Sequence, residues 1–500
     1  MHRSALSILQ VSTADILGGA ESIARNLHLA YRQAGHDAYL AVGRKRSDDH
    51  NTFRIPNEAA TGRWRKLWWG LHAAMQPHFA RIPAARTIAR TLQSLAEPAG
   101  WLDRRHGIED FHFPGSHRLL DLTPHIPDIV HFHNLHGGYF DLRALPHICR
   151  RVPVFLTLHD AWLLAGHCAH SFDCDRWKTG CGSCPDLTIY PAIRRDATSE
   201  NWRRKAEIFT QCRLYVTAPC KWLLDRADES LLAPAIIESH VIPNGVDQSI
   251  FKPGDMRAAR RSLNLSPDAA IVLFVANSPR RNPFKDYETL RRAVALLARK
   301  ITGRPLLLLA LGGEGPTEQV EGAEIRHLPA TGDANTVADY YRAADLYLHA
   351  ARVDTFPNTL IEALSCGRPV VATAVGGIPE QVRSLPMFGH KVDAVAPHGA
   401  TGILTPAGDA DAMAQAAEFV LHDGHIARAM STSAANDAQA RFSLQTQVTR
   451  FLDWYEFALE TAVDTDGVPR HLAAPSSSTD PGRPLRVRTE AKPTLTSTQA

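Results

Sequence analysis

The chain has 500 residues, a formal net charge of +3 and 44% hydrophobic residues. This length predicts two or three domains, and the near balance of charge excludes a global field for nucleic acid. No apolar run is long enough to span a membrane, and the first segment lacks the apolar run and cleavage site of a signal peptide. These features predict a cytoplasmic protein whose eight cysteines are mostly reduced.

Short strands and helices alternate through the first half of the chain. A strand over 5–12 is followed by Gly18 and Gly19 and then by a helix over 20–34. Because a helix N-terminus offers unpaired N–H groups, the glycine pair predicts an anion-binding turn, with an ordinary tight turn as the alternative. Further strands are predicted over 38–42, 128–133, 154–158 and 214–218.

Histidines cluster where two of these strands end. His131, His133 and His136 are interpreted as core or cleft residues, because no nearby acid completes a metal-ligand set. His159 and Asp160 follow the next buried strand. Ligands of parallel sheets lie at the carboxyl ends of strands, so His159 is predicted to contact a substrate, with a purely structural histidine as the alternative. Asp160 is predicted to orient that ring or to meet an acceptor hydroxyl.

Residues 44–114 depart from this rhythm of strands and helices. The segment is rich in Arg, His and Trp, and we predict within it a basic helix that carries Trp64, Trp68 and Trp69. Such a helix is suited to lying on anionic lipid or to packing as a lid on its own domain, and both interpretations stay open.

A loop over 160–190 contains four of the cysteines. Two of them form a Cys-x-x-Cys pair, and thiols clustered in a reducing compartment predict a structural zinc site. The proposed ligands are Cys168, Cys174, Cys181 and Cys184, with His167 or His170 as a replacement for one of them. An iron–sulfur cluster, disulfides and free thiols are the alternatives.

The alternation of strands and helices restarts after residue 251. Strands are predicted over 271–276, 305–311, 324–328 and 346–349, and helices over 287–299 and 337–344. The loop after the first of these strands contains Arg280, Arg281 and Lys285. Lys285 with Arg281, or with Arg280 in its place, is suited to an anionic ligand such as a diphosphate, and solvated loop side chains are the alternative.

Two carboxylates, Asp354 and Glu362, flank the start of a short helix. The helix is predicted over 359–365, because a proline marks its start and a glycine its end. Carboxylates accept hydrogen bonds from vicinal hydroxyls, so the pair predicts a polyol site. Gly376 and Gly377 follow the next strand, where bare backbone lets a ligand approach the N–H groups closely.

The segment ADLYLHAARVDTFPNTLIEALSCGRPVVATAVGGIPE has an acid, seven residues, an acid and then Gly-Gly-x-x-Glu. It resembles the donor site of the family-4 retaining glycosyltransferases, which are hexosyltransferases. An Asp followed by FPNT is similar to the colanic-acid and exopolysaccharide subgroup, whereas Ala350 and Ala351 depart from the Pro-Ser of that subgroup. The segments TLHD and VIPNGVDQSIFKP also resemble the family, and the resemblance covers residues 5–45 and 115–460.

The resemblance implies an α/β fold of the GT-B type, with two facing, Rossmann-like, doubly wound parallel-sheet domains. Residues 1–250 would form the acceptor-side domain and residues 251–440 the nucleotide-sugar domain. A crossover helix over 441–463 would return to the first domain. Residues 464–500, rich in Pro, Ser and Thr, are predicted to be disordered.

The resemblance also implies a reaction: transfer of a sugar from a GDP- or UDP-sugar to a glycan or lipid-linked acceptor in exopolysaccharide synthesis. Glu362 would grip the ribose and Asp354 the sugar hydroxyls, with His159 and Lys285 beside the reacting sugar. Gly18, Gly19, Gly376 and Gly377 would lie near the sugar or the diphosphate.

No Asp-x-Asp suited to Mg²⁺ stands at a strand end, so no cofactor is expected to be required for catalysis. Peripheral attachment to the inner face of the membrane follows from the lipid interpretation of the basic helix. Two alternatives stay open: a sugar-nucleotide binding protein without turnover, and a GT-B epimerase that acts on the sugar nucleotide itself.

Overall fold

The computed structural model describes residues 5–16, 18–58, 63–75, 88, 91–92, 95–96, 98–392 and 399–461. Within these ranges the chain forms two separate, mainly parallel β-sheets with helices between the strands. The tail predicted to be disordered, 464–500, lies outside the described residues, as does part of the basic segment over 44–114. In the part of the chain that is described, no helix is long and apolar enough to cross a membrane.

The first sheet has the strand order β3-β2-β1-β4-β5-β6-β7, and every neighbouring pair is parallel. Its strands are β1 (Ser7–Ala14), β2 (Asp37–Arg44), β3 (Thr52–Arg54), β4 (Ile129–Phe132), β5 (Val154–Thr157), β6 (Leu214–Ala218) and β7 (Ile236–Val241). Its helices are α1 (Gly19–Gln33), α2 (Arg63–Met75), α3 (Pro98–His106), α4 (Leu145–Cys149), α5 (Thr198–Phe209) and α6 (Lys221–Asp228). Short 3₁₀ helices lie at Pro114–Asp121, Leu142–Ala144, Trp162–Leu164, Arg176–Lys178 and Ala233–Ala235.

The second sheet has the order β10-β11-β9-β8-β12-β13-β17-β14, and its pairs are parallel except β10 with β11. Its strands are β8 (Ala270–Val275), β9 (Leu306–Leu311), β10 (Glu318–Val320), β11 (Ala323–Leu328), β12 (Leu346–His349), β13 (Val370–Thr373), β14 (Ser384–Leu385) and β17 (Gly402–Thr405), with a hairpin of β15 (Met387–Phe388) and β16 (Lys391–Val392). Its helices are α7 (Met256–Ser262), α8 (Tyr287–Ala298), α9 (Ala334–Ala343), α10 (Asn358–Ser365), α11 (Ile378–Gln381), α12 (Ala410–His422) and α13 (Gly424–Arg441).

Strands such as β8 and β9 are buried along nearly their whole length, which explains their continuous apolar sequences. In both sheets the strand order reverses beside the first strand, between β1 and β4 and between β8 and β12. Loops diverge at such a reversal and leave a crevice at the carboxyl ends of the strands. The topology therefore places one candidate crevice on each domain.

The last helix, α14 (Leu444–Thr461), packs on the first domain. The Tyr455 hydroxyl lies 2.6 Å from Nδ1 of His131 in β4 and 3.3 Å from the hydroxyl of Tyr31 in α1. Trp454 packs edge-on against Phe155 of β5, with ring centroids 4.8 Å apart. The helix returns to the first domain as the crossover prediction requires.

Two predictions about the first domain need correction. The segment over 44–114 was expected to lie outside the core, but β3 lies within it and extends the sheet beside β2. This three-residue edge strand, Thr-Phe-Arg, has no apolar run that would identify it. The first strand was predicted over 5–12 and is found at Ser7–Ala14, because its pairing with β2 extends to Ala14, beyond the polar residues Ser12 and Thr13 that end the apolar run.

Candidate active site

Loops at the carboxyl ends of the two sheets meet directly. Asn358, the first residue of α10, donates its side-chain N–H to the carbonyl oxygen of Gly19 at 3.2 Å and accepts from the Asn244 amide at 2.9 Å. The Glu380 carboxylate accepts two N–H groups at the start of α6, at 2.7 and 2.8 Å. Cys220, which precedes α6, donates to the carbonyl oxygen of Thr355 at 3.4 Å. These contacts bring the two candidate crevices together as one interdomain cleft.

Lys285 and Asp354 form an ion pair in this cleft. Lys285 comes from the loop after β8 and Asp354 from the loop after β12, the two strands that flank the reversal of strand order. Nε2 of His349, the last residue of β12, lies 3.3 Å from the Asp354 carboxylate. Burial alone would raise the pKa of Asp354, but the ammonium and the imidazole outweigh it and hold that pKa well below its ordinary value. Asp354 is therefore ionised at neutral pH.

Glu362 lies on α10, one helical turn beyond its start. Its carboxylate accepts a hydrogen bond from the Tyr341 hydroxyl at 2.8 Å, and the oxygen of this hydroxyl lies 2.9 Å from the Thr359 carbonyl oxygen. Removal from water raises the pKa of Glu362 to about 7, although the tyrosine hydroxyl partly opposes the shift. The pKa values of the two acids are therefore shifted in opposite directions. At neutral pH Asp354 is an anion, whereas Glu362 is about half ionised.

The two glycines after β13 pack tightly against protein. Gly376 has a φ of 57°, and a Cβ on it would lie 1.9 Å from the carbonyl oxygen of Asp354. A Cβ on Gly377 would lie 2.1 Å from the carbonyl oxygen of Thr355 and 2.6 Å from Sγ of Cys220. Close backbone packing thus explains both glycines. The Gly377 N–H donates to the backbone carbonyl oxygen of Asp354 at 3.3 Å, whereas the Gly376 N–H has no acceptor among the described residues.

The predicted phosphate-binding groups lie at the edges of the cleft. Gly18, with a φ of 143°, precedes α1, and a Cβ on it would lie 2.0 Å from Oε2 of Glu21. Arg281 is exposed in the loop after β8. The Arg280 side chain instead reaches the loop after β9, since a Cβ on Gly315 would lie 3.2 Å from its Nη1. Both arginines are exposed, and they differ in that the Arg280 side chain lies against the loop after β9.

His159 is held by a chain of buried hydrogen bonds. Nε2 of His133 donates to the Gln10 side-chain oxygen at 2.6 Å, which leaves Nδ1 of His133 to accept from Nε2 of His159 at 2.9 Å. The second ring nitrogen of His159, Nδ1, is then an acceptor. Burial lowers the pKa of His159 to about 4, so the ring is neutral at pH 7. A neutral ring in this tautomer accepts a hydrogen bond from a hydroxyl, which fits its predicted place beside a sugar.

Asp160 makes an ion pair with a different histidine. Its Oδ2 lies 2.7 Å from Nε2 of His136, and its Oδ1 accepts the N–H of Trp162 at 2.9 Å. Burial alone would lower the pKa of His136, but the Asp160 carboxylate outweighs burial and raises it. Asp160 therefore orients His136 rather than His159, which corrects one of its two predicted roles.

Residues 269–423 match the family model described as "Glycosyl transferases group 1". Over 260 residues the chain is 29% identical to the putative colanic acid biosynthesis glycosyl transferase WcaC of Escherichia coli strain K12, covering 49% of this chain and 60% of that protein. Over 158 residues it is 40% identical to a D-inositol 3-phosphate glycosyltransferase of Actinosynnema mirum, covering 29% of this chain and 37% of that one. The chain thus spans less than two thirds of the length of these relatives.

Solved structures resemble nearly the whole chain. Sucrose-phosphate synthase from Thermosynechococcus elongatus aligns with a TM-score of 0.57 and 18% identity, over 91% of this chain and 99% of that one. Anabaena HepE in complex with UDP-glucose aligns with a TM-score of 0.53 and 17% identity, over 90% of this chain and 100% of that one. The fold is GT-B. The predicted fold class is therefore confirmed, while identities this low carry no further argument about substrates.

In this GT-B cleft, the cysteine-rich loop of the first domain reaches the second domain. The His170 ring packs edge-on against Phe284, with centroids 5.1 Å apart, and interacts electrostatically with both Asp160 and Asp354. Its Nδ1 is buried and has no hydrogen-bond partner in the part of the chain that the structure describes. Sequence reasoning considered His170 only as a spare zinc ligand, since an irregular loop has no periodicity that reveals which domain a side chain faces.

The four predicted zinc ligands of this GT-B protein line one cavity of about 20 Å³ together with His167. Nε2 of His167 lies 3.4 Å from Sγ of Cys184, and the thiols are unpaired by disulfides. Burial raises the pKa of Cys168 to about 12. In the described ranges, no group of three or more His, Cys, Asp or Glu side chains is arranged to hold a metal ion. Zinc binding would therefore have to draw the thiols inward around this cavity.

Proposed function

We propose that this protein is a glycosyltransferase that takes a sugar from a nucleotide diphosphate donor. The observation that carries the proposal is the grouping at β12 and α10: an ionised Asp354 with its Lys285 partner, and Glu362 one helix turn away. This grouping lies inside the segment that matches the glycosyl transferase group 1 model and faces the first domain across the cleft.

Each group suits one part of a nucleotide-sugar donor. Glu362 accepts the ribose hydroxyls, and Asp354 accepts hydroxyls of the sugar. Lys285 exchanges part of its contact with Asp354 for the diphosphate, and the exposed Arg281 supplies a second cation. The Gly376 N–H is open to a sugar or phosphate oxygen. Two side-chain cations carry the charge of the diphosphate, so a divalent metal is not part of the proposal.

The proposed reaction retains configuration at the anomeric carbon, as in family 4. The acceptor hydroxyl oxygen bonds to this carbon, the bond from the carbon to the diphosphate oxygen breaks, and the hydroxyl proton leaves with the diphosphate. Lys285 stabilises the charge that grows on the leaving oxygen. Nδ1 of His159 accepts a hydroxyl of the reacting sugar. A hexose carried by UDP or GDP is the donor class that we propose.

Nucleotide release from a panel of UDP- and GDP-hexoses tests this proposal. We expect one donor to be turned over, and Glu362→Ala to lower kcat/KM by at least 100-fold. Glu288→Ala is the matched control, since the Glu288 side chain is 78% exposed on α8. Binding of a donor without nucleotide release in the presence of acceptors would favour a binding protein instead. NMR of the product then assigns the anomeric configuration.

The proposed setting is exopolysaccharide synthesis at the cytoplasmic face of a membrane, with a glycan or lipid-linked acceptor. Helix α2 supports it, because the Trp64 and Leu67 side chains are 58% and 64% exposed. The chain from residue 59 to 102 contains six Arg or Lys residues and one acid, Glu97. An exposed apolar stripe with this charge fits an anionic bilayer surface. Sedimentation with phosphatidylglycerol vesicles, compared with phosphatidylcholine vesicles, tests the attachment.

A further inference from the structure

A pocket of about 460 Å³ opens on the first domain, between helix α3 and the loops that follow β4 and β5. Its walls are mostly apolar and include the aromatic side chains of Trp162, Phe140 and Tyr190. Flat aromatic faces of this kind stack on the C–H faces of sugar rings. The pocket lining includes His136, which pairs with Asp160, and His170 interacts electrostatically with both Asp160 and Asp354, which connects the pocket to the donor side of the cleft.

The floor of this pocket presents a ring nitrogen of His136 that can hydrogen-bond a substrate hydroxyl. Nε2 of His136 is committed to Asp160 at 2.7 Å, and Trp162 fixes that carboxylate through its N–H at 2.9 Å. Nδ1 of His136 faces the Tyr190 hydroxyl at the longer distance of 3.5 Å. A substrate hydroxyl is the stronger partner for this nitrogen, because 3.5 Å is at the limit of a hydrogen bond.

The rim of the pocket carries positive charge that no acid among the described residues neutralises. Its acids are already paired, Asp110 with Arg104 and Glu109 with the buried ammonium of Lys205 at 3.0 Å. Arg105 lies over the Trp101 ring, 5.3 Å from its centroid, and has no acidic partner among the described residues.

Arg194 also lines the pocket, in the segment that follows Tyr190. It is exposed, and within the described ranges it too lacks an acidic partner. Two unpaired guanidinium groups at one pocket select an anion, and their planar forks match phosphate oxygens.

We infer that this pocket binds the acceptor, and that the acceptor is a saccharide bearing a phosphate group. The inference rests on the proposed function and names the substrate class of its acceptor side. The sugar stacks on the aromatic walls with one hydroxyl on Nδ1 of His136, and the phosphate lies between Arg105 and Arg194. A phosphate carries up to two charges for these two cations, whereas a uronate carries one. Free sugar phosphates supply up to two charges and sugars linked to lipid through a phosphodiester supply one, but both present phosphate oxygens that match the guanidinium forks.

Calorimetric titration with glucose, glucose 1-phosphate and decyl glucosyl phosphate tests the inference. We expect glucose 1-phosphate to bind at least ten-fold more tightly than glucose, and Arg105→Ala and Arg194→Ala each to lower its affinity five- to ten-fold. Arg195→Ala is the matched control, because Arg195 is exposed and lies outside the pocket. A still tighter decyl glucosyl phosphate identifies a lipid-linked acceptor, and equal affinity identifies a free sugar phosphate.

Equal binding of glucose and glucose 1-phosphate would overturn the inference, as would Arg105→Ala and Arg194→Ala variants that bind like Arg195→Ala. A separate titration with UDP- and GDP-hexoses keeps the two proposals apart. If donors bind and the phosphate makes no difference, only the acceptor assignment fails. If no donor binds but glucose 1-phosphate does, the glycosyltransferase proposal fails, and the pocket is still assigned as a binding site for a phosphorylated saccharide.

Discussion

The pKa of Glu362, raised to about 7 by removal from water, predicts how donor binding depends on pH. Only the ionised carboxylate accepts hydrogen bonds from both ribose hydroxyls. The ionised fraction at this pKa is about 0.09 at pH 6 and about 0.91 at pH 8, so the donor Kd should fall about ten-fold between these pH values. That change corresponds to about 1.4 kcal/mol of binding free energy.

Calorimetric titration of the hexose nucleotide that the screen identifies, at pH values from 6 to 8, measures this dependence. A nucleotide sugar is the right ligand, because both of its phosphates are diesters that do not titrate in this range. Asp354 and His159 do not titrate there either, since the pKa of each is lowered well below 6. Glu362→Gln should bind more weakly at pH 8 and lose the slope, whereas Tyr341→Phe should move the midpoint to higher pH. A Kd that stays flat, or a slope that persists in Glu362→Gln, would refute the assignment.

Four further outcomes are expected. Lys285→Ala should lower kcat by 100- to 1000-fold, because the charge that grows on the leaving diphosphate loses its stabilising cation. Lys300→Ala, at an exposed lysine, is the control. A decrease in kcat below ten-fold would argue against a contact between Lys285 and the diphosphate. The free protein should lose about 2 kcal/mol of stability at Glu362 as pH rises from about 5 to 7, because the folded state favours the protonated acid. Glu362→Gln should abolish that part of the decline in stability measured by urea unfolding. Tyr455→Phe should lower the free energy of unfolding of the first domain by about 1–3 kcal/mol in urea, because Nδ1 of the buried His131 loses its hydrogen-bond partner. Phe457→Leu, at a side chain that is 45% exposed, is the control and should change this free energy by less than about 0.5 kcal/mol. If the structural zinc proposal holds, elemental analysis should find about one zinc per chain and Cys181→Ser should lose it; metal-free protein with all thiols titratable would favour free thiols instead.

The sequence was sufficient for the fold because its signals are local. Buried parallel strands are short apolar runs, and Pro and Gly mark the ends of α10, so two sheets and the place of Asp354 and Glu362 could be predicted. The same rule placed His159 at a strand end. Its failure at β3 shows the limit, since three residues at a sheet edge leave no pattern.

The partners of these residues depend on packing between distant segments. Tyr341 meets Glu362 because α9 and α10 lie side by side, and Lys285 meets Asp354 because β8 and β12 are neighbours in the sheet. His170 reaches the other domain through a loop of irregular structure. No spacing within the sequence encodes such pairs. The pKa values of Asp354 and Glu362 depend on these contacts and on burial, so their shifts in opposite directions could not be predicted from the sequence either.

Helix α14 makes the first domain discontinuous in the chain. Its core is completed by residues near 455, which the ribosome synthesises only after the entire donor domain. During synthesis, Phe155 and His131 of the N-terminal sheet therefore stay exposed until Tyr455 and Phe451 of the last helix can pack on them, after the later domain has been made. An expression fragment that stops at the end of the first sheet would keep this surface exposed and should aggregate, whereas fusing the last helix behind it through a flexible linker should restore solubility.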